Sequence, residues 1–240
     1  MLLSTALYDL RQGASKEEHI DNVRSVSSAL KGFYAERGQK YLGLYESEKR
    51  MRQPETPQAI DLPSTFAEIC LLEGSSVRDA ALREVEVPCS HEARAAHNCR
   101  LTLIDPARSV KLWLEPFGLG HYSSVPMDWT KHLVQMTLRY MPPEQTLQQL
   151  TEFDHRIVKL YTEHMAQAKW YHIGVFHAFG LPEYMYVDSL DLVDAKDSTE
   201  AMENDARVDT PPDVQAIYDE CNLYLDRKRE GYRLWLKHVG

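Results

Sequence analysis

LVQMTLRYM at residues 133–141 and KWYHIGVFH at 169–177 decide how this chain is read. Both alternate between apolar and polar residues over a short stretch rich in aromatic and branched side chains, the signature of a half-buried strand. Between them, residues 146–165 carry Leu147, Leu150, Phe153, Ile157, Leu160 and Tyr161 at helical spacing. EYMYVDSL at 183–190 supplies a further strand. The order is strand, helix, strand, strand.

The same order occurs earlier. LSTALYDL at 3–10 reads as a strand, and Ser15 followed by Glu18 forms a capping box. Val23, Val26, Leu30, Phe33 and Tyr34 then make a helical stripe ending at Gly38. QKYLGLYE at 39–46 and STFAEICLL at 64–72 follow as strands, separated by a polar loop at 49–63 with Pro54, Pro57 and Pro63. A shift of 131 residues pairs Leu7 with Leu138, Val26 with Ile157, Gly43 with Gly174 and Tyr45 with Phe176. The paired glycines leave room either for a ligand or for a close crossing of another element.

This repetition divides the chain into residues 1–130 and 131–240. The connecting part of the first half is expected to hold a short helix at 76–85 and a hairpin, 100–105 with 109–115, turning at Asp105-Pro106. The Gly- and Pro-rich stretch 116–130 suits a lid whose apolar contacts come from Phe117, Tyr122 and Trp129. Thr210-Pro211-Pro212-Asp213 is a strong helix start, and that helix is expected to run to about His238.

Charge is unevenly spread. The net charge of −9 in 240 residues equals that of residues 188–220 alone, where eleven acids face Lys196 and Arg207. Such a stretch repels nucleic acid and anionic lipid and reads as a solvated connector. No run of apolar residues is long enough to span a membrane, and Met1-Leu2-Leu3 opens no secretory signal. Cys70, Cys89, Cys99 and Cys221 form no CxxC pair, so reduced thiols and a cytoplasmic protein are expected.

The pattern carried by LVQMTLRYM, 146–165, KWYHIGVFH and EYMYVDSLDL resembles half of the dimeric α+β barrel superfamily, the ferredoxin-like NIPSNAP, EthD and antibiotic-biosynthesis monooxygenase families. The resemblance implies an α+β fold: tandem ferredoxin-like repeats closing a barrel within one chain, antiparallel sheets inside and helices packed outside. The order of the middle segment, and the want of a last strand after the C-terminal helix, depart from that pattern.

If the helices cover the more apolar sheet face, Val134, Met136, Leu138, Tyr171, Ile173, Val175, Met185 and Val187 lie under them. The other face then gathers Gln135, Thr137, Arg139, Trp170, His172, Phe176, Tyr184, Tyr186 and Asp188, with Tyr8, Tyr41, Tyr45 and Glu68 from the first half. This set resembles an aromatic pocket with few polar handles. His172 titrates near neutrality and suits a general base or acid; Arg139 suits an oxyanion; Asp188, Tyr184 or Tyr186 would orient the imidazole. Trp170, Phe176, Tyr8, Tyr41, Tyr45, Glu68 and Tyr122 would bind the substrate. The same residues also suit plain core or subunit contact.

Cys89, His91, His97 and Cys99 have zinc-type ligands, but the spacing matches no common zinc site, so a polar loop with unpaired thiols is expected and no metal. His121, Ser123, Ser124 and Asp128 lack the elbow of a serine hydrolase. No P-loop, dinucleotide fingerprint, HExxH or EF-hand loop is present.

The superfamily resemblance implies a tailoring enzyme for a hydrophobic, aromatic or polyketide-like small molecule: a cyclase, isomerase or cofactor-free monooxygenase, with a homodimer allowed. The alternatives are a haem protein on the same barrel, with His155, His164, His172 or His177 as ligand, and a non-catalytic ligand-binding or assembly module.

Overall fold

The computed structural model describes residues 1–53, 62–63, 65–74, 76–88, 90–116, 128–140, 146–180, 185–221 and 231–240. The elements in order are β1 (Leu2–Leu10), α1 (Lys16–Ser25), α2 (Ser27–Ala35), β2 (Gln39–Gln53), β3 (Phe66–Leu72), α3 (Val77–Glu86), α4 (His91–Leu101) and β4 (Ile104–Pro116). Then come β5 (Leu133–Tyr140), α5 (Leu147–Gln167), β6 (Trp170–Phe179), β7 (Met185–Val193), α6 (Ser198–Ala206), α7 (Pro212–Cys221) and β8 (Gly231–His238). Hydrogen-bonded neighbours run β1-β3-β2-β8-β5-β7-β6-β4 in a closed barrel. Every described ladder is antiparallel.

The chain forms two compact units, Met1–Ser47 with Asp61–Glu115 and His238–Gly240, and Glu48–Ile60 with Pro116–Lys237. The first orders its strands β4-β1-β3-β2 and the second β8-β5-β7-β6. Each is the order of a ferredoxin-like sheet.

The helix starts follow local chemistry. The Ser15, Ser76 and Ser90 hydroxyls accept from the backbone N–H of Glu18, Asp79 and Ala93. Thr146 and Gln149 form a complete capping box at α5, and the Asp197 carboxylate caps α6. The first stripe is two helices, because Val26 (φ −109°, ψ 7°) breaks the run between α1 and α2.

Three expectations are corrected. Residues 100–115 are not a hairpin: α4 runs to Leu101, and β4 is one strand against β1. Tyr8 pairs with Ser109 but Leu10 with Ile104, so the extra residues around Asp105-Pro106 bulge out of a continuous strand. The C-terminal helix does not reach His238. Gly231–His238 is the missing last strand, β8, pairing Leu234 with Met136 and Leu236 with Val134. The acidic stretch is not a connector, because it contains the end of β7 and helices α6 and α7, and Asp191 is 0% exposed.

The sheet faces are also inverted, except that Val175, beyond a bulge in β6, packs with Leu150 of α5 as expected. Tyr8, Phe66 and Leu44 pack with Val23 and Leu30 of the helices, and Tyr41 and Cys70 pack with Phe33, Tyr34 and Ala80. Leu3, Leu7, Ala67, Ile69, Leu112 and Leu114 therefore form the face turned away from the helices, all of it buried. In the second unit Leu133, Trp170, Val193 and Trp235 pack with Met165 of α5 and Ala201 of α6. Val134, Met136, Leu138, Leu190, Leu192 and Leu234 take the other face. The more apolar face is thus the one away from the helices, because helix side chains can answer polar groups and a face lined mostly by aliphatic side chains cannot.

Gly43 shows what the first unit demands of its backbone. Its φ is +134°, and a Cβ there would meet His238 Nε2 at 2.3 Å and the Gly240 carbonyl at 2.5 Å. The tail crosses β2 at this point: Leu44 N–H donates to Gly240 O at 2.6 Å and Val239 N–H to Leu44 O at 2.8 Å. The matched glycine is therefore a close crossing rather than room for a ligand. Gly43→Ala is expected to destabilise by about 2 kcal/mol or more. Gly32→Ala in α2, where a Cβ meets nothing within 4 Å, is expected to stabilise by about 0.5–1 kcal/mol. Urea denaturation checks both signs.

Candidate functional site

Each unit carries a buried acid on its third strand, facing the helix layer. In the second unit it is Asp191 of β7. His172 of β6 lies directly across the ladder, and its Nδ1 is 2.8 Å from Asp191 Oδ1. Ser189, two residues back on the same face, donates to Asp191 Oδ2. With the Gln135 amide of β5 oriented so that its nitrogen meets acceptors and its oxygen donors, it donates to Asp191 Oδ2 at 2.6 Å and Ser189 Oγ at 3.2 Å. Its carbonyl accepts from Thr137 Oγ1 and, at 3.3 Å, from Arg233 Nε of β8. Asp191 thus has Ser189 and Gln135 at Oδ2 and the His172 imidazole at Oδ1. An imidazole that donates to Asp191 does so through Nδ1–H, and this contact fixes the ring's orientation.

In the first unit the acid is Glu68 of β3. Its Oε1 accepts from Tyr8 Oη at 2.9 Å and Arg100 Nη1 at 2.7 Å; its Oε2 accepts from Tyr34 Oη at 3.5 Å. Tyr8 Oη also lies 3.0 Å from His19 Nε2. Burial pushes the Tyr8, Tyr34 and Tyr41 phenols up, which keeps them protonated donors. Burial acts to lower the Arg100 guanidinium, and the adjoining Glu68 carboxylate more than reverses it. His97 on α4 stacks on Phe33 with ring centroids 4.6 Å apart and lies 3.3 Å from Arg100 Nη2. Burial, and then the positive charge of Arg100, depress its pKa to about 4.

The residues expected from sequence are distributed as follows. His172, Trp170, Gln135 and Thr137 lie on the helix-facing side of their sheet, as do Arg139 and Tyr186, which pair across the β5–β7 ladder. Tyr8, Tyr41 and Glu68 occupy the helix-facing side of the other sheet. Phe176 and Tyr45 fall on the opposite faces, paired with Val187 and Ala67. The expected set does not converge on one sheet face. Tyr122, Tyr184, Cys89 and the Asp188 side chain lie outside the described residues. Among the described residues, Asp191 faces His172.

Sequence reasoning missed Asp191 by assigning it to a connector, passed over Ser189 within the strand EYMYVDSL, and missed Arg233 by placing it on a helix. The alternation of Arg233, Leu234, Trp235 and Leu236 was the available signal for the last strand. It also missed His19 and Arg100, helix residues that only tertiary packing brings to Glu68. The Cys89–Cys99 stretch is α4 from His91 onward, not a loop, and among the described residues no His, Cys, Asp and Glu group could hold a metal. A groove of about 700 Å³ between α2 and α4, lined by Ala29, Phe33, Ala93, Ala96 and Cys99, contains none of the expected site residues. No helix among the described residues is long and apolar enough to cross a membrane.

The neutral His97 sets a pH dependence. The unfolded chain takes up a proton near pH 6.5, the folded chain only near 4. The stability contributed is full above pH 6.5 and is lost as pH falls from there toward 4. Burial lowers His19 in the same direction. Denaturation midpoints are expected to drop between pH 6.5 and 4, with a shallower drop in His97→Gln. Glu68→Gln leaves the buried Arg100 charge unpaired and is expected to cost on the order of 3–5 kcal/mol at pH 7, measured by the same denaturation.

No family model matches this sequence, and no curated protein matches it. Among solved structures, a proposed monooxygenase from Fusobacterium nucleatum subsp. nucleatum is similar over 100% of this chain and 92% of its own, with a TM-score of 0.54 and 7% identity. An anthrone oxidase-like protein is similar over 100% and 93%, with a TM-score of 0.54 and 12% identity. At these identities the likeness is one of fold.

Proposed function

We propose that this chain, whose fold is that of the dimeric α+β barrel superfamily, is an enzyme that acts on a hydrophobic aromatic small molecule by proton transfer, as a cofactor-free monooxygenase. The observation that carries this reading is the buried His172–Asp191 pair, with Nδ1 and Oδ1 2.8 Å apart. A base held in one tautomer by a carboxylate is the arrangement that proton abstraction requires. The fold likeness to a proposed monooxygenase and an anthrone oxidase-like protein supports the reaction class.

In this mechanism His172 Nε2 removes a proton from an activated C–H or phenol of the substrate. Arg139, paired with Tyr186 four residues along β5 from the row that holds His172, is on the same face and would meet the far oxygen of the delocalised anion rather than the carbon that loses the proton. The anion passes its electrons to dioxygen. For anthrone the balance is one anthrone and one O₂ giving one anthraquinone and one water. His172 is 4% exposed, so a substrate reaches it only when the layer over β6 opens.

Anthrone is the probe. Its oxidation, followed by anthraquinone absorbance, is expected to run well above the buffer rate with the purified protein. His172→Ala is expected to lower the rate by about 10²–10⁴-fold. A wild-type rate equal to buffer, or a variant as fast as wild type, overturns the reading. A Soret band in the purified protein favours the haem alternative instead. Anthrone-dependent stabilisation without turnover favours the non-catalytic binding module.

A further inference from the structure

We infer that Gln135 is a positioning residue for His172, acting through Asp191, and that the acid–base pair extends from the imidazole to the Arg233 guanidinium. This rests on the proposed role of His172.

The amide is bound at both ends. Its NH₂ donates to Asp191 Oδ2 at 2.6 Å and Ser189 Oγ at 3.2 Å. Its oxygen accepts from Thr137 Oγ1 and from Arg233 Nε at 3.3 Å. The donors therefore converge on Asp191: Arg233 and Thr137 reach it through Gln135, Gln135 and Ser189 meet Oδ2, and His172 meets Oδ1 from the other side. Hydrogen bonds in such a chain polarise one another. The positive guanidinium sharpens the amide dipole, whose donor end meets the carboxylate. Asp191 Oδ2 is thereby fixed by two donors, and Oδ1 is left as the acceptor for His172 Nδ1–H.

The placement follows from the ladders. Gln135 pairs with Asp191 on one side and with Trp235 on the other, and Thr137 pairs with Ser189 and Arg233. Three adjacent strands, β8, β5 and β7, thus bring the whole relay onto one sheet face, and β6 adds the histidine. Gln135 is 1% exposed, so water does not substitute for its contacts. An apolar side chain of equal length would fill the space and break the relay in two places.

The test is Gln135→Met, nearly isosteric but without donor or acceptor, read by ¹⁵N-resolved NMR of the histidine rings. In wild type, His172 is expected as a single Nδ1–H tautomer. In the variant its two ring nitrogens are expected to move toward averaged positions, and kcat for anthrone to fall on the order of tenfold or more with KM unchanged. Gln135→Glu keeps the length but sets a second carboxylate against Asp191, and a larger effect is expected. If the His172 resonances of Gln135→Met match wild type while the melting temperature falls, Gln135 only fills the core and the inference is overturned. Should Gln135→Met not fold, Thr137→Val removes one donor to the amide oxygen. A shift of the same sign supports the relay, and unchanged His172 resonances overturn it. The NMR readout does not depend on turnover, so absent anthrone oxidation with a tautomer shift rejects the proposed activity and leaves the positioning role standing.

Discussion

The structure depends on two carboxylates that cannot be left alone. Glu68 and Asp191 sit on the third strands of their units, almost without exposure. A buried unpaired charge costs several kcal/mol. Each acid must therefore lie on the sheet face where donors, from helices or from neighbouring strands, can reach it. For Glu68 the donors are Tyr8 from the sheet and Arg100 and Tyr34 from α4 and α2. For Asp191 they are His172, Gln135 and Ser189 from the strands around it. Once the acids face the helices, alternation sends the aliphatic residues to the other side, and the polarity of every strand follows.

The two solutions differ in a way that bears on chemistry. Glu68 is neutralised by a guanidinium brought in on α4, so its charge is spent on docking a helix. The imidazole of His19 is reached through the Tyr8 hydroxyl, and that of His97 through Arg100. Asp191 meets an imidazole directly, and the guanidinium of Arg233 stands one amide further away. An acid paired with a guanidinium docks a helix; an acid facing an imidazole Nδ1 can fix the ring's tautomer. That contrast favours the second unit as the place for proton transfer.

Much of the fold was legible. The strand–helix–strand–strand order came from LVQMTLRYM and KWYHIGVFH, because alternation and helical spacing are local signals. The last strand was not, since a strong helix start at Thr210-Pro211-Pro212 carried the helical reading through GYRLWLKH, where alternation should have ended it. Asp105-Pro106 read as a hairpin turn because a bulge that absorbs a proline inside a strand has the same letters. Of the candidate site, His172, Arg139 and Gln135 were identified and their face was not. Which face is buried under helices is a matter of tertiary pairing, and Arg100 and His19 are invisible to strand periodicity.

The bulges explain why no single alternation could have assigned the faces. The β2–β3 register shifts between Tyr41 and Gly43, and the β6–β7 register shifts between His172 and Gly174 and again before Phe176. An inserted residue reverses the alternation beyond it. Hence Tyr41 and Leu44, three apart, both pack toward helices, as do His172 and Val175. Gly43 and Gly174, which the 131-residue shift superposes, both have positive φ at these bulges. Their conformations suit glycine, and they stand where each second strand changes sides. In a regular β6, the face that carries His172 to Asp191 would turn Val175 away from Leu150 and Tyr186. The bulge lets one strand supply both the imidazole to the acid and the apolar anchor to α5, so the glycine is as much a part of the site's geometry as the histidine.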